Sequence, residues 1–143
     1  MGQQQSAPNG NPNEAKISEK DVEAIFLKAG NMRALQPGEM LIQAGMPFPN
    51  VYLVVSGELI ITQESPGGKE GEVVRRELAK RGRMEVVGEL SFLLDTMPVV
   101  NVSVSEKYPR TVSVIEITHH RGIQLLHADP KFAAKVFHML AAV

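Results

Sequence analysis

Apolar residues near the start of the chain recur with the period of an amphipathic helix. Val22, Ile25 and Phe26 fall on one helical face, and Ser18 precedes them as a residue type that favours helix N-caps. Gly30 follows in the position of a helix C-cap. The pattern therefore predicts a short helix between Ser18 and Gly30.

After this helix the apolar residues alternate with a period of two, which is typical of β-strands. Met40 and Ile42 begin the alternation, and residues 51–64 (VYLVVSGELIITQE) continue it with β-branched and aromatic side chains. The interruption at Ser56-Gly57 predicts two strands joined by a tight turn or a bulge. A glycine-rich segment, residues 66–72, is typical of a loop tip.

Three further strands are predicted, at VVRREL, VVNVSVSE and TVSVIEIT. In the second of these, the valines share one face and the polar residues share the other: Val100, Val102 and Val104 against Asn101, Ser103 and Ser105. Many short strands separated by glycine turns are typical of a sandwich or jelly roll. We therefore expect a mainly β, jelly-roll-like β-roll flanked by short N-terminal and C-terminal helices.

The helical period returns at the end of the chain. Asp129-Pro130 supplies an N-cap and a proline suited to the first helical position. The apolar residues that follow form one stripe: Phe132, Val136, Met139, Leu140 and Val143. We expect this stripe to pack against the roll, to dock on a partner, or to continue into a larger parent protein.

Composition sets the domain limits and removes several function classes. Residues 1–15 are rich in Gln, Asn, Pro and Gly, which predicts a disordered polar tail, and residues 16–143 are expected to form one domain. The net charge of −1 gives no basic field for nucleic acid or an acidic membrane surface. The sequence contains no cysteine, which excludes a disulfide framework and a thiol nucleophile. A cytoplasmic protein without direct membrane contact is the expectation.

One segment has features of an anion site but carries no cation. Residues 86–106 (VVGELSFLLDTMPVVNVSVSE) begin with Gly88, which can bring the backbone close to a ligand, and Glu89, which can accept from a hydroxyl. LSFLL is compatible with a short helical turn that presents backbone N–H groups. From Met84 to Glu106, however, the sequence contains no Arg, Lys or His.

The order of these elements, together with several glycines, resembles the cyclic nucleotide-binding domain family, as found in the catabolite activator protein and protein kinase A regulatory subunits. The matching residues lie in LQPGEMLIQAGMPFPNVYLVVSGEL, at Pro37-Gly38-Glu39, Gly45, Tyr52 and Gly57. Gly88-Glu89-Leu90 would begin the phosphate-binding cassette of this family. The resemblance covers about residues 17–143.

The resemblance implies a role for each cassette residue. Glu89 would accept from the ribose 2′-hydroxyl, Leu90 and Ser91 would offer backbone N–H groups to the phosphate, and Gly88 would let the sugar approach. The family then places an arginine after a proline, and the register in this chain gives Pro98 or Val99 at that position, followed by Val100. A hydrogen bond to a charged group contributes about 1.5–3 kcal/mol, so the expected consequence is weak or lost cyclic nucleotide binding.

The densest positive stretch lies before the cassette and is a candidate substitute source of charge. Arg81 or Arg83 could reach the pocket from the adjoining loop, but solvation at the surface is the expectation for both, since acidic residues interleave with this stretch. The leading function is thus a non-enzymatic regulatory module. It would bind cyclic AMP or cyclic GMP weakly, and would contact a parent protein or partner through its C-terminal helix.

A functional cyclic nucleotide sensor, which would bind through Glu89 and backbone N–H groups, remains an open alternative. Two more alternatives come from other classes of function. One is a ligand-independent scaffold or oligomerisation domain. The other is a metal enzyme of the cupin type, for which His119-His120 is the only adjacent histidine pair. On a strand, adjacent side chains point to opposite faces and cannot chelate one ion, so no metal or other cofactor is expected. No catalytic residues are predicted.

Overall fold

The structure is a computed structural model that describes residues 18–131, 133–135 and 138. Residues 18–128 of this described part form three helices and eight strands in the following order: α1 (Glu19–Ala29), β1 (Asn31–Leu35), β2 (Met40–Ile42), β3 (Val51–Ser56), β4 (Leu59–Pro66), β5 (Val73–Arg81), β6 (Val86–Val87), α2 (Glu89–Leu94), β7 (Asn101–Ser103), β8 (Val112–Ile117) and α3 (His119–Ala128). Helical residues resume at Pro130, as the sequence predicts.

The strands form two four-stranded antiparallel sheets. One sheet has the order β1-β8-β3-β6 and the other has the order β2-β7-β4-β5. Except for β4 and β5, strands that are consecutive in the chain lie in different sheets, which closes the structure into a roll. The predicted mainly β roll with flanking helices is confirmed.

Two apolar clusters form the core, one on each side of the first sheet. The roll core lies between the sheets and includes Tyr52 and Val54, whereas the helix-side core lies under α1 and includes Val51 and Leu53. Successive residues of β3 therefore alternate between the two clusters. Because both faces of this strand are buried, its sequence is continuously apolar rather than alternating.

Helix α1 begins and ends where the sequence predicts. The Ser18 side chain accepts a hydrogen bond from the Asp21 backbone N–H, and Gly30 follows the last helical residue. Gly30 has φ −124°, so it does not use the left-handed conformation of a typical C-cap glycine. A Cβ atom at Gly30 would clash with the backbone oxygen of Glu116, and this close approach to β8 explains the glycine.

Two elements differ from the sequence predictions. Strand β1 was not predicted, because only Leu35 among its residues is fully buried and no alternation is visible. The interpretation of His119-His120 as strand residues is wrong, since they begin α3, where the Thr118 side chain caps the helix by accepting from the Arg121 N–H. The predicted disordered tail and C-terminal stripe (residues 1–15; Phe132, Val136, Met139, Leu140 and Val143) lie outside the described residues.

Strands β4 and β5 pair over most of their length with one interruption. Ile61 pairs with Ala79 and Thr62 pairs with Glu77, so Leu78 has no partner and forms a bulge in β5. Strand β5 is the last strand of its sheet, and most of its residues are exposed. No helix within the described part of the chain is long and apolar enough to cross a membrane.

Candidate functional site

A cavity of about 190 Å³ opens between the residues after β6 and the inner face of the second sheet. Most of its lining side chains are apolar, and the full lining comprises Ile42, Ile61, Arg81, Val86, Val87, Gly88, Glu89, Ser91, Pro98, Val99, Val100 and Val102. We call residues 88–100 of this lining the cassette wall, and Ile61 of β4 with Arg81 of β5 the strand wall. The volume is below the roughly 300–1,000 Å³ typical of small-molecule pockets.

The site residues proposed from the sequence come together in this cavity. Gly88, Glu89, Ser91, Pro98, Val99 and Val100 all line it. Leu90 lies within α2, one position after Glu89. Sequence reasoning does not identify Ile42, Ile61, Val86 or Val87 as lining residues, because their position depends on how the strands pair rather than on a local motif.

Gly88 fits its position for two physical reasons. Its φ of +89° is in the left-handed region, which costs L-residues about 1–2 kcal/mol. A Cβ atom there would also lie 2.5 Å from the backbone oxygen of Asn50 and 3.2 Å from Cδ1 of Ile42. Glycine therefore allows the start of the cassette wall to lie directly against the start of β3.

Helix α2 is anchored by Phe92, which is 8% exposed and belongs to the helix-side core. A Cβ atom on Gly122 of α3 would lie 2.9 Å from Cε1 of Phe92, so the missing side chain makes room for the ring. The rings of Phe92 and His119 meet edge to face with their centroids 5.7 Å apart. Helix α2, which carries Glu89 and Ser91 of the cassette wall, is thus packed directly on α3.

The later part of the cassette wall is tied to the turn after β2. The Gly45 N–H donates to the Pro98 carbonyl at 2.8 Å, and the Ala44 N–H donates to Oδ1 of Asn101 at 2.7 Å. Val102 and Val104 are buried, as the alternation predicts, but Asn101 on the opposite face is also buried, at 4% exposure. Its hydrogen bond explains why a polar residue is buried there.

The charges around the cavity are few and unevenly placed. Burial raises the pKa of the Glu89 carboxyl, while its own backbone N–H and the positive charge of Arg81 lower it by smaller amounts. Oε2 of Glu89 is buried without a hydrogen-bond partner. Pro98 is buried, and Val99 is 75% exposed at the rim. The cassette wall therefore offers one carboxylate and no cation.

Arg81 does not have the purely solvated position that the sequence suggested. It is half-buried and lines the cavity, whereas Arg83, in the following turn, is exposed as expected. Nη1 of Arg81 donates to the carbonyl of Lys80 at 2.9 Å. The sequence gives no signal for this placement, because it depends on the bulge at Leu78.

The histidine pair belongs to a different part of the structure. His119 lies between the rings of Phe92 and Phe48, with the Phe48 ring centroid 5.4 Å away, and its backbone N–H donates to Oδ1 of Asn50 at 3.0 Å. Within the described ranges, no group of three His, Asp or Glu side chains is placed to hold a metal ion. His119 acts here as a packing residue between α2, α3 and the loop before β3.

Among known protein families, the cyclic nucleotide-binding domain matches residues 32–128 of this chain. A search of curated proteins by sequence gives no significant match.

Solved structures with a similar fold include several regulators. The N-terminal domain of a transcriptional regulator from Streptomyces coelicolor A3(2) has 23% identity and a TM-score of 0.65, over 92% of this chain and 87% of that one. The catabolite activator protein of Thermus thermophilus has 20% identity and a TM-score of 0.63, over 92% of this chain and 57% of that one.

The regulatory domain of Toxoplasma gondii PKA, crystallised with cAMP, has 16% identity and a TM-score of 0.58, over 80% of this chain and 41% of that one. This chain therefore spans less than two thirds of the length of the Thermus and Toxoplasma proteins. At these identities the similarity establishes the fold alone.

Proposed function

This chain belongs to the cyclic nucleotide-binding domain family, and from that premise we propose that it is a non-catalytic regulatory module whose pocket binds cyclic nucleotides weakly or not at all. The observation that carries the proposal is the cassette wall. Its exposed rim residue is Val99, its buried proline is Pro98, and no Arg, Lys or His occurs between Met84 and Glu106.

The electrostatic argument follows from the charge of the ligand. A cyclic phosphate is an anion, and taking an anion into a partly buried site is unfavourable unless a cation or several donors compensate for lost hydration. In this pocket the nearest charge on the cassette wall is the Glu89 carboxylate, which repels an anion when ionised. Shape favours the same conclusion, because a cavity of about 190 Å³ is small for a nucleotide.

Weak binding would leave the module in one signalling state without a ligand. The packing of Phe92 of α2 against Gly122 of α3 supports a mechanical link between the pocket and α3. Through this link the module would hold a further domain or a protein partner in a fixed arrangement. A ligand that moved α2 would have to displace the Phe92 ring from the notch at Gly122.

Calorimetry with cyclic AMP and cyclic GMP tests the proposal. We expect the wild-type protein to show no heat or a dissociation constant in the millimolar range. Val99→Arg should raise the affinity by about 10- to 100-fold, since a hydrogen bond to a charged group contributes about 1.5–3 kcal/mol.

The matched control is Val73→Arg, which adds the same charge at a valine that is 62% exposed on β5 and does not line the cavity. This variant should bind no better than the wild type. Micromolar affinity in the wild-type protein would overturn the proposal. Equal gains in both variants would show that net charge, rather than the position of Val99, limits binding.

A functional cyclic nucleotide sensor is the second candidate, and one observation favours it. Oε2 of Glu89 is a buried acceptor without a hydrogen-bond partner, as expected for an atom that accepts a hydrogen bond from a ligand hydroxyl. In that case the wild-type protein would bind with micromolar affinity, and Glu89→Gln would weaken the binding. The same calorimetric series therefore separates the two candidates.

A further inference from the structure

The bulge in β5 changes which side chains of that strand face the cavity. Beyond Leu78, Ala79 pairs with Ile61 and Arg81 pairs with Leu59. If the pairing of Thr62 with Glu77 continued without interruption, Lys80 would lie opposite Leu59. One extra residue in a strand reverses the face on which every later side chain lies.

Leu59 identifies the face on which Arg81 lies. Directly opposed residues of an antiparallel pair project from the same side of the sheet, and Leu59 is fully buried in the roll core. Lys80 takes the other face, where its Nζ lies 3.9 Å from Oε1 of Glu58. Of the cavity-lining residues that the structure describes, Arg81 is the only cation.

The two charged groups of the cavity are not bonded to each other. Oε2 of Glu89 has no hydrogen-bond partner, although the charge of Arg81 acts on the carboxylate through space. Arg81 uses one N–H for the Lys80 carbonyl at 2.9 Å, and a guanidinium carries several more donors. A donor group on the strand wall and an acceptor on the cassette wall thus border the same cavity.

We propose that Arg81, which the bulge at Leu78 places on the cavity side of β5, is the anion-binding residue of this pocket. The ligands of the pocket are then small phosphate esters that also donate a hydroxyl hydrogen bond to Glu89. The inference rests on the proposed function, because it assigns the weak residual binding to the strand wall. Arg81 lies on a mostly exposed edge strand, so its contact with the anion is solvated and contributes less than a buried pair would.

A nuclear magnetic resonance titration with cyclic AMP, carried into the tens of millimolar, tests this assignment. In the wild-type protein we expect the Arg81 Nε–H and the Gly88 N–H to shift together with one dissociation constant. Arg81→Gln should weaken the Gly88 titration by about 3- to 10-fold, which is less than loss of a buried charged hydrogen bond would cause because the contact is solvated. Arg81→Lys should retain part of the affinity.

Arg83→Gln is the matched control, since it removes the same charge two residues away from an exposed position outside the cavity. It should titrate within about 2-fold of the wild type, because exposed charges at this distance are largely screened. An amide spectrum of each variant establishes that it is folded, and Arg81→Lys carries the test if Arg81→Gln is not.

Three results would overturn the inference: equal affinity in Arg81→Gln and the wild type, a Gly88 shift without an Arg81 shift, or no shift at either residue at the highest concentration. The last result leaves the proposed function intact, because that function includes lost binding. Micromolar wild-type affinity that depends on Arg81 would have the opposite effect, supporting the inference and overturning the proposed function.

Discussion

The two walls of the cavity are built in opposite ways. The cassette wall is closely fitted, because Gly88 lies against the Asn50 carbonyl and α2 is held by Phe92 in the notch at Gly122, yet the wall offers no positive charge. In the strand wall, Ile61 packs against the roll core, but Arg81 lies on β5, the mostly exposed edge strand, and supplies the positive charge. Shape and charge in this pocket thus come from separate parts of the chain.

This difference affects how mutations in each wall should act. Substitutions in the cassette wall disturb tight contacts and should change the stability of the fold. Substitutions in β5 should leave stability nearly unchanged and act, if at all, on charge. Measuring the free energy of unfolding of variants in both walls therefore tests this difference.

The largest expected loss is that of Phe92→Ala. Removing a buried phenylalanine typically costs about 3–5 kcal/mol, from lost burial and the cavity left behind. Phe48 contacts the same His119 ring but is 69% exposed, so Phe48→Ala should cost less than about 0.5 kcal/mol. Urea denaturation of both variants measures the two values. Similar losses would mean that α2 is not anchored on α3.

Gly88→Ala is expected to have the next largest effect. The left-handed backbone and the close Asn50 carbonyl together should lower the free energy of unfolding by about 2–3 kcal/mol. Gly45 has nearly the same φ, +86°, but nothing within 4 Å of a Cβ atom, so Gly45→Ala should show the conformational cost alone, about 1–2 kcal/mol. Denaturation curves that coincide for the two variants would show that the carbonyl contact carries no cost.

Glu89 should have a smaller effect on the free energy of unfolding, and this effect should appear only in its pH dependence. Because burial raises the pKa of this carboxyl above the ordinary value of 4.5, the folded state holds its proton at pH values where the unfolded chain has lost it. Stability should therefore fall as the pH rises from about 4.5 through the higher folded-state pKa.

Glu89→Gln should remove this slope, whereas Glu70→Gln in the exposed loop should keep it. Denaturation at a series of pH values across that window measures both. A slope unchanged by Glu89→Gln would assign it to another group. Arg81→Gln should widen the window, since the positive charge of Arg81 lowers the pKa of Glu89.

The smallest effect is expected on the exposed part of the second sheet. Nη2 of Arg75 lies 3.0 Å from Oε2 of Glu64, with both side chains exposed, and such pairs contribute about 0–1 kcal/mol. Arg75→Gln should change the free energy of unfolding by less than about 0.5 kcal/mol, and less still in high salt. Arg33 bonds both Glu116 and Glu39, at 2.7 and 2.9 Å, so Arg33→Gln should cost more. Thermal denaturation at two salt concentrations compares them.

The parts of the fold that follow local patterns could be predicted from the sequence. Residues 51–64 form β3 and β4 with the break at Ser56-Gly57, because β-branched residues and a glycine with φ +92° specify strands and a turn locally. Gly88 could be identified as a glycine that lets the backbone come close to another group. That this group is the Asn50 carbonyl depends on tertiary packing and could not be predicted.

The parts that depend on pairing or tertiary contact could not be predicted. Strand β1 is held by its register with β8 rather than by an alternating sequence. Helix α3 contains Gly122, which is unfavourable in an isolated helix but is required by the Phe92 ring. The inward position of Arg81 depends on the unpaired Leu78, and a bulge of this kind has no signature in VVRRELAKR.

The two hydrogen bonds from the turn after β2, from Gly45 to Pro98 and from Ala44 to Asn101, have a practical consequence. They connect an exposed surface turn to Pro98 and Asn101, at the C-terminal end of the cassette. A displacement of Pro98 should therefore also move the turn. A fluorescent label on Gln43, which is exposed and does not line the cavity, would then report ligand-driven motion from outside the pocket. Position 43 is thus suited to a fluorescent label that distinguishes the ligand-free protein from the ligand-bound protein.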